Sequence, residues 1–174
     1  GLARSRDELA REGSTSSGRL LGVFSEGHVP YQIDRAHRPE LKAAVPSLEE
    51  MIEAALNRLQ SNSTGFVLQI EAGRVDHAGH QNDPASILRE QLEFDRAVAL
   101  VREFAETNGE TLVVVTTDHG TGGFMLNGAD GDYRKAAERF LKLGDCKASF
   151  EWIQRHIDPE RLLETMVAGF EDNL

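Results

Sequence analysis

Cysteine is nearly absent: Cys146 stands alone, so neither an internal disulfide nor a cysteine-built zinc site can form. No apolar run approaches the length that crosses a bilayer. Basic residues are the minority, 19 Lys and Arg against 29 Asp and Glu, for a formal charge of −10. A field of that sign repels phosphate backbones and excludes nucleic acid as a general partner. No hydrophobic leader opens the chain. Residues 1–20 are polar, with Arg4, Arg6 and Arg11 and a GSTSSG stretch at 13–18 that reads as a flexible loop. The first residue is Gly1 rather than Met, which reads as an internal piece of a longer chain.

What remains is the composition of a globular protein: 174 residues, 40% hydrophobic and 28% charged, enough for one domain with a buried core. Apolar runs at 20–24, 66–70 and 111–117 predict three buried strands. Ser47 and Glu50 form a capping box, and Leu48, Met51, Ile52, Ala55, Leu56 and Leu59 follow at helical spacing. A second long helix is predicted from Pro84 to Glu106, with further helices at about 132–143, 149–156 and 158–168. Between Val29 and Pro46 the prolines predict irregular chain. Apolar strands alternating with amphipathic helices predict an α/β fold with a parallel sheet covered on both faces. Chemistry in such folds sits at the carboxyl ends of strands.

Two of the three predicted strands end in ligand-type residues. The first cluster is Glu71-Ala-Gly-Arg-Val-Asp76-His77-Ala-Gly-His80. Asp76 and His80 are four apart, so on one helical turn they point the same way and can grip one divalent metal. Glu71 offers a harder oxygen of the kind magnesium prefers. The second cluster is Asp118-His119, where a buried strand runs into two groups that are costly to bury without partners. The plainer alternative for both is a polar loop whose Asp caps a helix beside a surface His. His28 and His37 read as surface residues, His156 as a structural residue at a helix end, and Cys146 as an inert half-buried thiol. Glu90, Glu93 and Asp95 read as a solvated helix face, and Trp152 with Phe150 as packing.

Glu71-x4-Asp76-x3-His80, then Glu93-Phe-Asp-Arg-Ala-Val98, then the 111–117 run into Asp118-His119, together resemble the alkaline phosphatase family. The stretches at 20–24, Pro30 to Arg35 and Pro46 to Met51 are similar to the segment that precedes the metal loop in those enzymes. The resemblance spans roughly residues 20–124, with 125–174 set apart as a variable helical insertion. It implies a three-layer sandwich with a mostly parallel sheet, present here as a single domain or as a fragment of one. It implies hydrolysis of phosphate monoesters through a phosphoserine, with two zinc ions and one magnesium. Glu71 would bind magnesium, Asp76 and His80 one zinc, and Asp118 and His119 the other. His77 sits where some members place a residue that touches phosphate or metal through water. A phosphorylated small molecule as substrate, a homodimer and a periplasmic or secreted location are also implied by the family.

The family's serine nucleophile with its upstream metal Asp, the phosphate-binding Arg and the last zinc His match nothing in these residues; Ser14, Ser16 and Ser17 lack the expected neighbours. The chain therefore reads as a central to C-terminal portion of such an enzyme, inactive by itself, whose partner is the remainder of the parent chain. Relatives in the same superfamily, a phosphoglycerate mutase or a phosphodiesterase, are the alternative enzymes. A non-catalytic metal-binding domain is the alternative of another class.

Overall fold

The computed structural model describes residues 1–14, 18–122, 132–158 and 160. Residues 15–17 of the loop predicted at 13–18, most of the predicted helix at 158–168 and much of the insertion at 125–174 lie outside the described residues; Gly13, at the start of that predicted loop, is helical.

The chain opens with a strand, a helix and a second, parallel strand: β1 (Leu2–Ala3), α1 (Arg6–Gly13) and β2 (Leu21–Gly22). Its N-terminal stretch is therefore structured rather than merely polar. Ser5 supplies the reason, since its hydroxyl accepts from the Glu8 N–H at the start of α1 while Glu8 accepts from the Arg4 N–H. α1 lies against α4 (Leu48–Leu59) so closely that a Cβ on Gly13 would stand 2.7 Å from the Ala54 Cβ. Only glycine admits that approach.

The stretch at 29–46 is not irregular. It holds α2 (Gln32–His37) and α3 (Pro39–Ala44). Pro39, which as punctuation predicts a break, is the first residue of α3, where its missing N–H costs nothing. The capping box at Ser47 forms as predicted, with Glu50 N–H to Ser47 Oγ at 3.2 Å and Ser47 N–H to Glu50 Oε2 at 2.9 Å. α5 (Arg74–His80) and α6 (Pro84–Asn108) follow. Gly109, at φ 74, ends α6 in the left-handed conformation that glycine adopts without strain. α7 (Tyr133–Leu141) and α8 (Phe150–His156) complete the described helices.

Ile52, Leu56 and Ala97 form the core between α4 and α6, and Phe66, Leu68 and Ile70 pack onto it. Tyr31, Ile33, Ala78 and Ala85 form a second core that joins α2, α5 and α6. Two buried carboxylates tie α8 to this second core. Asp34 accepts from the Ser149 N–H and hydroxyl, at 2.9 and 2.6 Å, and Asp83 accepts from the Phe150 N–H at 2.7 Å.

Two further expectations are corrected. The runs at 66–70 and 111–117 make no backbone ladder among the described residues; the only pairing there is β1 with β2. Residues 66–70 do alternate as a strand would. Phe66, Leu68 and Ile70 turn inward, while Val67 is 96% exposed. An extended run becomes a ladder only when a neighbouring backbone meets its N–H and C=O groups, and none does among the described residues.

Glu90 and Glu93 are buried, not solvated. Each satisfies a free N–H at a helix start: Gln32 of α2 donates to Glu90, and Leu48 of α4 donates to Glu93 at 3.1 Å. Arg35 completes the Glu93 site as an ion pair. Asp95 remains exposed, as predicted.

Candidate metal centre

α5 begins three residues after Glu71 and carries Asp76, His77 and His80. On that helix Asp76 Oδ2 and His80 Nε2 stand 3.6 Å apart, the one-turn pairing that their spacing predicts. The second cluster reaches them through glycine. A Cβ on Gly79 would lie 2.8 Å from the Thr121 carbonyl oxygen, and one on Gly122, at φ +86, would lie 2.3 Å from the Gly79 carbonyl oxygen. Two bare Cα positions thus let the loop after residue 117 rest directly on α5.

That loop brings His119 Nδ1 to 3.9 Å from Asp76 Oδ1, while His119 Nε2 lies 3.2 Å from Asp118 Oδ2. His119 Nδ1 also meets the Thr121 hydroxyl at 2.9 Å. The structure therefore gathers Asp76, His80, Asp118 and His119 in one place. It does not join Glu71 to them: Glu71 is exposed and has no hydrogen bond or ion pair with the other four. Among the described residues, no group of three or more such side chains is arranged to hold a metal ion. The contacts are pairwise, with His119 engaged on one side by Asp118 and on the other by Thr121.

The chemistry of the set still fits a divalent cation. It offers two carboxylates and two imidazoles. Asp76 Oδ1 is sealed from solvent without a hydrogen-bond partner, an acceptor that a cation would satisfy. The Thr121 side chain, and after it His80, His119 and His77, hold the Asp76 carboxyl below its ordinary range.

His77 faces a different environment. Its Nδ1 lies 3.1 Å from Arg74 Nη1, and its ring centroid lies 4.2 Å from that of His28. Burial, with help from His28 and Arg74, pushes the His77 pKa down, which favours a neutral ring. Arg74 in turn pairs with Glu151 at 2.7 Å and lies over the face of Tyr31 at 3.6 Å. Burial raises the Tyr31 hydroxyl to about 12, so it stays protonated.

The Alkaline phosphatase family profile matches residues 2–150. The chain belongs to the alkaline phosphatase family. Alkaline phosphatase 3 of Bacillus subtilis is 35% identical over 158 residues, covering 84% of this chain and 33% of its own length. The repressible alkaline phosphatase of Saccharomyces cerevisiae is 44% identical over 115 residues, 62% of this chain and 19% of its own. The solved alkaline phosphatase of Thermus thermophilus superposes with a TM-score of 0.78 at 43% identity, over 89% of this chain and 32% of that one. The fold class is accordingly α/β. The chain spans a third or less of the length of these relatives.

The structure adds Arg74, Thr121 and Glu151 to the surroundings of the site, with His28 beside them. For Thr121 a local signal existed, since it follows Asp118-His119-Gly120 directly. For Arg74 and Glu151 none did, because they meet across 77 residues. His28 is exposed, as predicted, yet its ring rests against His77.

Proposed function

We propose that this chain supplies part of the metal site of a phosphate monoester hydrolase of alkaline phosphatase type, acting through a phosphoserine mechanism whose nucleophile lies in the parent chain. The observation that carries the reading is the meeting of Asp76 and His80 with Asp118 and His119, around a buried carboxylate oxygen that has no hydrogen-bond partner. In this reading Asp76 and His80 hold one zinc, Asp118 and His119 the other, and Glu71 a magnesium. Such cations supply Lewis-acid stabilisation of the oxygens in an in-line phosphoryl displacement.

The chain's own residues do the rest. The Asp118 carboxylate lies 3.2 Å from His119 Nε2, close enough for the two to share one cation in this reading. Gly79 and Gly122 set the separation of the two pairs. The extended segments at 66–70 and 111–117 belong, in this reading, to the three-layer sandwich of the parent, and each delivers a ligand at its carboxyl end.

The test is hydrolysis of an aryl phosphate at alkaline pH with added zinc and magnesium. The full-length protein is expected to turn over. The 174-residue chain and the full-length Asp118→Ala variant are expected to show at least about 100-fold less. Full activity in the Asp118→Ala variant would sink the reading. Turnover by the 174-residue chain would place a nucleophile within it and overturn the mechanism.

A further inference from the structure

We infer that Arg74 and Glu151 are positioning residues that fix His77 as an Nε2–H donor to an anion and bar it from binding a metal through Nε2. The inference deepens the proposed function and rests on it for the identity of the anion, a phosphoryl oxygen.

Donor and acceptor count decides the tautomer. A guanidinium carries five N–H donors and no acceptor. Arg74 Nη1 lies 3.1 Å from His77 Nδ1, so Nδ1 must be the acceptor in that bond. A neutral imidazole with its lone pair at Nδ1 carries its proton at Nε2. A ring nitrogen that holds a proton has no lone pair for a metal, but it is a donor matched to a phosphate oxygen. His77 thereby separates from its neighbours His80 and His119, although all three lie within a few residues of a ligand pair.

The guanidinium is itself fixed. Its Nη2 donates to Glu151 Oε2 at 2.7 Å, the face of Tyr31 lies 3.6 Å away, and the Arg74 side chain is 8% exposed. Glu151 is held because α8 is clipped to Asp34 and Asp83 at its first turn. The His28 ring, 4.2 Å from His77 and tilted by 55°, restricts rotation of the imidazole on its other flank. Glu151 lies one residue beyond the stretch that the family profile matches. The tautomer of a site histidine is thus set from α8.

The test is long-range 1H–15N correlation spectroscopy of the full-length protein with 15N-labelled histidine, His77 being assigned by its loss in His77→Gln. The wild type is expected to show the Nε2–H pattern alone. Arg74→Met is expected to populate the Nδ1–H form, and Glu151→Gln to do so in part. The same Arg74→Met protein is expected to bind inorganic phosphate about tenfold more weakly at unchanged metal content. An Nδ1–H pattern in the wild type, an unaltered Nε2–H pattern in Arg74→Met, or loss of metal from Arg74→Met would overturn the inference. If Arg74→Met does not fold, the wild-type and Glu151→Gln spectra decide it. The tautomer is read without turnover, so an inactive protein with the Nε2–H pattern would count against the phosphatase reading and leave the clamp standing.

Discussion

Glu90 and Glu93 lie three residues apart on α6, and each accepts the first N–H of another helix. Neither role is legible locally. A helix that alternates acids with apolar residues places its acids outward by periodicity, and the donors that turn these two inward come from residues 58 and 45 positions away. Burial raises the Glu90 carboxyl to about 7, with Glu93 adding to the rise and the Gln32 N–H opposing it. The folded state therefore holds this proton more tightly than the unfolded chain does. Its contribution to stability is full below pH 4.5 and is lost as pH rises through about 7. Glu90→Gln keeps the acceptor oxygen and cannot ionise. It is expected to flatten the decline in stability between pH 4.5 and 7, by on the order of 3 kcal/mol in total. Denaturant unfolding of the full-length wild type and variant across that range reads the difference. A wild type whose stability rises through the window in step with the variant would contradict the assignment.

At the scale of elements, the capping box and the apolar stripe of α4 were open to reading because every partner lies within one turn. The Asp76 and His80 pair was open for the same reason. Its meeting with Asp118 and His119 was not, because it depends on how closely the loop after 117 can approach α5. Gly79 decides that approach. Gly79→Ala puts a Cβ about 2.8 Å from the Thr121 carbonyl oxygen, a backbone atom that can yield only if the loop moves. The expected outcome is a loss of zinc affinity of about tenfold or more in the full-length protein. Because alanine is the better helix former, the melting temperature of α5 and the core around it is expected to change little. Calorimetric zinc titration alongside thermal unfolding separates the two effects. Unchanged affinity would mean that the loop does not need this contact.

Across the whole molecule, the runs at 20–24, 66–70 and 111–117 leave an apolar surface bare. Val67 is 96% exposed and Leu112 87%, with Leu21, Val23, Val114 and Val115 also exposed. Alternation within 66–70 showed which side would turn to the helices; it could not show what covers the other. The matched stretch covers a third or less of each of these relatives, so in the parent that apolar surface is expected to be covered. The 174-residue chain by itself is expected to self-associate through it. Val67→Lys is expected to lower the association without loss of helical signal, as light scattering and circular dichroism would show. Monomeric behaviour of the unsubstituted chain at high concentration would contradict this. In the proposed function, two pairs of side chains, 42 residues apart from Asp76 to Asp118, form one metal centre. Its most direct test is elemental analysis of zinc bound per chain in the full-length protein, in the wild type and in the separate variants Asp76→Ala and Asp118→Ala. The account expects two zinc ions in the wild type and the loss of at least one in each variant, whereas undiminished zinc in either variant would contradict it.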